Sequence, residues 1–373
     1  MITLKTKPQA FLEVMLNSVT EGGDMSRDDI RFLLGLTREE EIQLLFRAAR
    51  CMRRRYLGDK VFLYGFLYFS TFCRNNCRFC HFRKLNTRLK RYRKRPSEIV
   101  EAARNMAASG VHLIDLTMGE DPAFFDRGEY GFTRLVRLVR AVRKETGLPV
   151  MVSPGVVPSH VLDQLAEGGA DWYACYQETH TPSLFHGLRR GQRYDERMAV
   201  KVSARRSGLL IEEGIMSGVG ETAADIADSI AMMRFLDADQ VRIMTFVPQE
   251  GTPMAGLPAP DNLRELLTIA VMRLAFPDRL IPASLDVDGH AGLKRRLDAG
   301  ANVVTSLVPP GSGLSGVANS ALDIEDARRT PENIASILAE CRLRPAELGD
   351  YFFWLESRKA MAEQPGNEER VAC

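Results

Sequence analysis

Short apolar runs alternate with amphipathic stretches along most of the chain. The apolar runs are rich in Val, Ile, Leu and aromatic residues, which favours β-strands. They fall near 61–70, 112–118, 149–153, 171–176, 209–215, 240–246, 280–284 and 302–307. Helical spacing of apolar residues predicts helices near 96–109, 132–146, 159–168, 195–207, 223–235, 261–276 and 291–299. Eight strands separated by helices predict an α/β protein with a complete (β/α)8 TIM-type barrel.

Further helices flank this alternating region. Before it, helical spacing predicts helices over 28–34 and 37–56, and after it over 331–342 and 345–358. We therefore expect a helical extension over 1–60, a barrel core over 61–310, and closing helices with a tail over 311–373. We also expect the N-terminal helices and the loop that starts at Val308 to cover the two ends of the barrel.

Composition and charge narrow the class of protein. The 373 residues carry 50 Lys and Arg against 48 Asp and Glu, a formal net charge of +2. This balance gives no overall attraction to nucleic acid. The longest strongly apolar run, 61–69, is too short to cross a bilayer, and the N-terminus lacks the apolar region of a signal peptide. We predict a cytoplasmic protein with neither a membrane nor a nucleic acid as partner.

Three of the seven cysteines stand together directly after the first predicted strand. Cys73, Cys77 and Cys80 are separated by three and then two residues. Three thiolates on one loop can bind three irons of a [4Fe–4S] cluster and leave the fourth iron open. The alternative is a structural zinc site with His81 as the fourth ligand, although its adjacency to Cys80 would strain a tetrahedral geometry.

A basic segment follows the cysteines. Residues 83–95 contain eight Lys and Arg side chains and one tyrosine. Together with a zinc site, this segment would permit a second class, a zinc-bearing RNA-binding protein. We favour a solvated loop or a docking patch for an acidic reductase such as flavodoxin or ferredoxin. The iron or zinc content of the protein would distinguish the two classes.

The cysteine spacing, with the aromatic Phe79 before the last cysteine, resembles the radical S-adenosylmethionine (SAM) enzymes. The resemblance implies that the open iron binds SAM. It also implies that one electron from the cluster cleaves SAM to a 5′-deoxyadenosyl radical, which takes a hydrogen atom from the substrate.

Further motifs after later strands resemble the biotin synthase-like branch of this superfamily. By this resemblance, the residues that would bind SAM, in addition to Phe79, are Gly119, Glu120, Glu178, Arg197, Gly218 and Glu221. Arg197 would pair with the SAM carboxylate, which suits the bidentate geometry of a guanidinium. Biotin synthase itself uses a second cluster held by several barrel cysteines. Here Cys175 is the one cysteine on a predicted barrel strand, and we interpret it as a small buried residue.

Three segments, 67–77, 115–122 and 282–289, resemble the methylornithine synthase family within this branch. The resemblance implies an isomerase of pyrrolysine biosynthesis that converts L-lysine to (3R)-3-methyl-D-ornithine. Hydrogen abstraction, fragmentation of the carbon skeleton and branched recombination would give this product. The alternative is a lyase or a sulfur-inserting enzyme of the same branch, which would consume SAM stoichiometrically with product.

The charged residues of the late strands suit a diamino acid. Such a substrate needs carboxylates for its ammonium groups and one cation for its carboxylate, because unpaired buried charges are costly. We assign Arg242, inside an apolar strand, to the substrate carboxylate, and Ser284 and Asp286 to the α-ammonium end. Asp115 would meet an ammonium group, with Asp121 as the second choice. The structural alternative is a buried ion pair between Asp115 and Arg242.

Overall fold

The predicted alternation of strands and helices forms one parallel barrel. The computed structural model describes residues 9–308, 311–316 and 328–362. Pro309 and Pro310 of the loop after Val308 lie outside these residues, as does the predicted tail from 363 onwards. The strands are β1 (Lys60–Ser70), β2 (Leu113–Met118), β3 (Val150–Ser153), β4 (Trp172–Ala174), β5 (Leu210–Ser217), β6 (Gln240–Thr245), β7 (Pro282–Ser284), β8 (Val303–Leu307) and β9 (Arg344–Pro345).

The first eight strands follow the order β6-β5-β4-β3-β2-β1-β8-β7 and are all parallel. A parallel bridge between Gln240 and Leu280 joins β6 to the segment before β7 and closes the ring. The (β/α)8 prediction is therefore confirmed. The two-residue strand β9, which the pattern does not predict, pairs with the start of β1.

The helices surround this barrel. They are α1 (Gln9–Thr20), α2 (Arg27–Leu34), α3 (Glu39–Leu57), α4 (Pro96–Ala108), α5 (Pro122–Phe125), α6 (Gly128–Thr146), α7 (Ser159–Glu167), α8 (Pro182–Leu188), α9 (Tyr194–Arg206), α10 (Ala223–Phe235), α11 (Leu263–Ala275), α12 (Gly289–Asp298), α13 (Pro331–Glu340) and α14 (Leu348–Ala362). Most match the predicted stretches within a few residues, whereas the pattern does not single out α1, α5 and α8. None of the described helices has both the length and the apolar composition needed to span a membrane.

The last helix fills the amino-terminal mouth of the barrel. Tyr351 of α14 packs edge-on against Phe62 of β1, and its hydroxyl lies 2.9 Å from that of Tyr64. Trp354 stacks on Trp172 of β4 with ring centroids 5.7 Å apart. These aromatic contacts exclude water from the lower barrel, so the space for a ligand lies at the carboxyl ends of the strands.

The N-terminal helices pack against the outer helices. Arg27 of α2 pairs with Asp228 of α10 at 2.6 Å, and α3 lies along α11. Residues of α14, and none from α1–α3, belong to the apolar cluster that fills the lower barrel. The expectation that the N-terminal helices cover a barrel end is therefore wrong, because their apolar faces are buried against the outer ring.

Candidate active site

A single cavity at the carboxyl ends of the strands contains most of the predicted site residues. All eight barrel strands contribute to its lining. The predicted residues that line it are Cys73, Cys77, Phe79, Cys80, Asp115, Gly119, Glu120, Glu178, Arg197, Arg242, Ser284 and Asp286. Gly218 and Glu221, which follow β5, do not line it, although Met216 of that strand does. The barrel thus brings the charges of the late strands together with the loop after β1 that carries Cys73, Cys77 and Cys80, which we call the cysteine loop.

The cysteine loop leaves β1 and folds over the cavity. Cys77 is buried, and its Sγ accepts hydrogen bonds from Gln192 Nε2 at 3.0 Å and from Arg189 Nη1 at 3.4 Å. Arg91 of the basic segment donates to the backbone carbonyl of Arg83 at 2.6 Å and so stabilises the loop. Hydrogen bonds to sulfur, such as those from Gln192 and Arg189, orient the ligands of an iron–sulfur cluster and tune their charge.

The three thiols fit a cluster better than a free-thiol role. Burial raises the pKa of the Cys73 and Cys80 thiols, so they stay protonated until a metal displaces the proton. In the described ranges no three His, Cys, Asp or Glu side chains converge on one ion-sized point. A [4Fe–4S] cluster binds each cysteine through a different iron and does not require such convergence.

Gly119, after β2, lies directly against the cysteine loop. A Cβ atom at this position would stand 2.5 Å from the Phe72 carbonyl oxygen and 2.8 Å from Cys73 Cβ. Glycine is therefore required here by the loop that holds Cys73. The motif suggests a different reason for glycine, namely the close approach of SAM. The packing against the cysteine loop requires glycine independently of SAM.

We expect Gly119→Ala to lower iron content and to reduce turnover by about a hundredfold, because a ligand displaced by about 1 Å loses its reacting geometry. Gly187→Ala in α8 is the matched control, since a Cβ there meets no atom within 4 Å. Iron analysis and an activity assay of both variants test this. Wild-type iron content and turnover in Gly119→Ala would show that the loop tolerates the displacement.

Glu178 occupies a strained position beside the cysteines. Its φ of 68° is unusual for a residue other than glycine. Its backbone is held by β5, because its N–H donates to the Gly214 carbonyl oxygen at 3.0 Å and its own carbonyl oxygen accepts the Met216 N–H at 2.9 Å. Its carboxylate pairs with Arg189 at 2.5 Å, and that guanidinium lies 5.4 Å from the Phe79 ring centroid. One arginine therefore connects Glu178, Phe79 and Cys77.

Glu120 and Arg197 lie close together in the cavity lining. Glu120 accepts from Arg74 Nε at 2.9 Å, and its Oε1 lies 4.0 Å from Arg197 Nη1. Arg197 also donates through Nε to the Tyr176 carbonyl oxygen at 2.7 Å. This bond fixes the guanidinium near the cysteine end of the cavity, where Arg197 and Cys77 both contact Gln192, and its contact with the SAM carboxylate stays a prediction.

Glu221 has a local structural contact. Its two carboxylate oxygens accept the backbone N–H groups of Gly218 at 3.0 Å and Val219 at 2.9 Å. Gly218 has a φ of 83°, and a Cβ there would stand 2.4 Å from Pro260. The motif therefore shapes the turn after β5, and a direct contact of these two residues with SAM stays a prediction.

The deep end of the cavity carries the predicted substrate residues. Asp115 accepts from Thr117 Oγ1 at 2.7 Å, and Arg242 donates through Nε to Glu212 at 2.7 Å. Burial, together with the nearby charge of Glu212, raises the pKa of Asp115 to about 7. Arg242 thus has Glu212 as its ion-pair partner, in place of the Asp115 partner considered in the structural alternative.

The second predicted acid of this end, Asp286, has a partner of its own. Arg329 Nη1 lies 3.1 Å from Asp286 Oδ1 and is fully buried. Ser284 Oγ accepts the backbone N–H of Asp286 at 3.1 Å and lies 3.3 Å from Ser306 Oγ. Both predicted residues therefore line the cavity, with the acid held by an arginine from the C-terminal region.

Asp121, the second choice for an ammonium contact, lies outside the cavity lining. It accepts two hydrogen bonds from Arg93, at 2.6 and 2.7 Å, and one from Ser70 at 2.5 Å. Burial favours protonation, but these hydrogen bonds outweigh it and hold the pKa of Asp121 below its ordinary value. Its contacts make it an anchor of the cysteine loop.

Three buried charges at the site escape the sequence analysis, namely Glu212, Arg189 and Arg329. The run Leu209-Leu-Ile-Glu-Glu-Gly offers a signal for the first, because a buried strand with adjacent acids must point one of them into the barrel. Arg189 lies in a short connection, where nothing in the local pattern separates it from a solvated arginine.

The parallel barrel with its cysteine loop and the cavity beneath it is the architecture of a radical SAM enzyme. A model of the Radical SAM superfamily matches residues 67–233. The chain is 43% identical over 335 residues to the 3-methylornithine synthase of Methanosarcina barkeri, covering 90% of this chain and 94% of that protein. It is 32% identical over 287 residues to the [FeFe] hydrogenase maturase subunit HydE of Thermotoga maritima, covering 76% and 80%.

A solved structure agrees with these sequence matches. The crystal structure of methylornithine synthase (PylB) superposes with a TM-score of 0.86 at 42% identity, covering 91% of this chain and 99% of that one. The chain belongs to the 3-methylornithine synthase family of radical SAM enzymes. Its cofactors are those of the superfamily, a [4Fe–4S] cluster and SAM. This assignment replaces the zinc-bearing RNA-binding alternative.

Proposed function

We propose that this enzyme converts L-lysine to (3R)-3-methyl-D-ornithine for pyrrolysine biosynthesis. The observation that carries the proposal is one cavity with three cysteine thiols at one end and the charges of Asp115 and Arg242 at the other. The relatives named 3-methylornithine synthase support the same product. An amino acid with a second ammonium group suits these charges, because its carboxylate can pair with Arg242 and the second ammonium group with Asp115.

The cysteine end would hold the cofactors. Cys73, Cys77 and Cys80 would bind the cluster, while Glu178 and Arg197 would contact polar groups of SAM. Bound together, the cluster and SAM supply an organic radical that abstracts a hydrogen atom.

The deep end would bind and orient the substrate. Arg242 would receive the substrate carboxylate, because its guanidinium matches that group bidentately. Asp115 would receive the side-chain ammonium, and Ser284 and Asp286 the α-ammonium. A fragmenting substrate must also be kept from water. Tyr351 and its aromatic neighbours fill the amino-terminal end of the barrel, so water cannot reach the substrate site from that end.

Anaerobic incubation with SAM, a reductant and carbon-labelled L-lysine tests the function. We expect a new species with the mass of lysine and a shifted chromatographic retention. Product formation with stoichiometric loss of SAM would instead indicate the lyase or sulfur-inserting alternative. Untouched lysine alongside accumulating 5′-deoxyadenosine would contradict the substrate.

We expect the affinity for lysine to fall roughly tenfold between pH 8 and pH 6, because the pKa of Asp115 near 7 lies inside this window. The ammonium group binds the ionised carboxylate, so protonation as the pH falls weakens binding. Calorimetric titration of the SAM-loaded protein without reductant measures this. Asp115→Asn is the control and should bind weakly with little pH dependence. An equal slope in both proteins would assign the titration to another group.

We also propose that an acidic flavodoxin or ferredoxin docks on the exposed basic side chains after the cysteines. Lys84 and Lys90 are exposed there, whereas the charges of two exposed arginines are partly neutralised, Arg88 by Glu250 at 2.6 Å and Arg95 by Glu98 at 3.0 Å. Rates of cluster reduction that do not change with salt would contradict this docking.

We place the enzyme in the cytoplasm, since the cysteines of the described residues are all free thiols.

A further inference from the structure

Strand β5 turns two adjacent buried acids to opposite faces. Glu213 points outward and pairs with Lys201 of α9, whereas Glu212 points into the barrel. Glu212 is fully buried, so its charge must be satisfied by groups inside the barrel. A carboxylate below a substrate cavity is costly unless it has a task there or a complete set of donors.

Three donors from neighbouring strands meet Glu212. Its Oε1 accepts from Arg242 Nε and from Gln240 Nε2, each at 2.7 Å. Its Oε2 accepts from the Tyr176 hydroxyl at 2.8 Å. Donors on both oxygens fix the plane of the carboxylate, and with it the position of the arginine that it holds.

Glu212 holds Arg242 through Nε, so the terminal nitrogens of the guanidinium are not used by this ion pair. Nη1 donates to two neutral side chains of the cavity lining, Thr305 Oγ1 at 3.3 Å and Met244 Sδ at 3.6 Å, and a carboxylate ligand would be a stronger acceptor than either. Arg242 itself lines the cavity. A carboxylate ligand is best bound by two parallel N–H donors, which the terminal nitrogens of this side chain can present.

We propose that Glu212 is the positioning residue of the substrate site, which holds Arg242 by Nε so that the terminal edge of its guanidinium meets the carboxylate of an amino-acid substrate. This inference rests on the proposed function and adds a residue that does not itself line the cavity. Glu212 also keeps Arg242 away from the other acid of the deep end, Asp115.

Besides burial, three neighbouring side chains determine the protonation state of Asp115. Glu212 of β5 disfavours its ionised form, whereas Arg242 of β6 and the Thr117 hydroxyl of its own strand favour it. Tyr176, which follows β4, faces the same space and also donates to Glu212. Without the charge of Glu212, Arg242 has Asp115 as its nearest alternative acid, and both would be withdrawn from the substrate.

Glu212→Gln tests this role by equilibrium binding without turnover. In the SAM-loaded holoprotein we expect the Kd for lysine at pH 8 to rise at least tenfold, with the Kd for SAM and the visible cluster spectrum unchanged. The fall in affinity between pH 8 and pH 6 should also disappear, because Asp115 then pairs with Arg242. Asp239→Asn is the matched control, because it neutralises another fully buried acid, which pairs with Arg205 and Arg358 and does not line the cavity; it should leave the Kd for lysine within twofold.

Several outcomes would overturn the role. Unchanged or tighter lysine binding in Glu212→Gln, with the pH dependence intact, would make Glu212 a structural ion-pair partner only. If that variant does not fold, Glu212→Asp keeps the charge but withdraws it from Nε. It should raise the Kd for lysine at least fivefold and keep the pH dependence, and an unchanged Kd would refute the positioning role.

A crystal structure of substrate-free Glu212→Gln separates this inference from the proposed function. We expect Arg242 to turn towards Asp115 in that structure, whatever the substrate is. A wild-type protein that does not bind lysine would contradict the proposed substrate alone. An Arg242 that keeps its position in the variant would contradict the positioning role alone.

Discussion

Replacement of Cys77 by serine should abolish both the iron–sulfur chromophore and the turnover of lysine. Cys77 is the least exposed of the three cysteines, and its sulfur accepts hydrogen bonds from Gln192 and Arg189. Serine removes a thiolate that three-point attachment of the cluster requires. We expect turnover to fall by at least about a thousandfold, equivalent to about 4 kcal/mol in the barrier.

Cys175→Ser is the matched control for this prediction. Cys175 is also buried and lines the same cavity, but it lies at the end of β4 and not on the cysteine loop. We expect it to retain iron and turnover within a few-fold. Iron content, visible absorption and product formation of both anaerobically reconstituted variants provide the measurement. A Cys77→Ser protein with wild-type absorption and turnover would refute the cluster assignment.

The second large effect concerns the ion pair beneath the substrate site. Arg242→Met removes the guanidinium that pairs with the fully buried Glu212. A buried carboxylate without its cation destabilises a protein by about 3–5 kcal/mol. We expect a loss of that size in the free energy of unfolding, measured with urea under anaerobic conditions, together with loss of lysine binding.

A double variant separates stability from function. Glu212→Leu combined with Arg242→Met removes both charges, so it should be more stable than Arg242→Met alone while still failing to bind lysine. Recovery of stability without recovery of binding would assign Arg242 to the substrate. A double variant no more stable than the single one would show that Tyr176 and Gln240, the remaining donors to Glu212, dominate the energetics of this region.

The barrel could be predicted from the sequence because its strands are marked locally. The run near 240–246 corresponds to β6 at Gln240–Thr245, and its neighbours agree as closely. The elements that the pattern does not single out carry weak local signals. Helix α8, Pro182–Leu188, is too short to show helical spacing, and the pairing of β9 with β1 joins residues almost 300 positions apart.

The site could be predicted only in part, for a related reason. The cysteines and the residues at strand ends, such as Ser284, follow from their motifs and their places at or after strands. The partners of these residues could not be predicted. Glu212 of β5 pairs with Arg242 of the neighbouring strand β6, and Arg329, which lies after the barrel in the chain, pairs with Asp286. Pairing between distant segments depends on the register of the fold, which no local pattern encodes.

The proposed reaction rearranges the carbon skeleton of lysine within the cavity. NMR of the product formed from uniformly 13C-labelled L-lysine, with SAM and a reductant under anaerobic conditions, tests it most directly. We expect a product isomeric with lysine that contains a labelled methyl group bonded to a labelled methine carbon. A product that retains the unbranched chain, or one that has lost carbon, would contradict the proposed reaction.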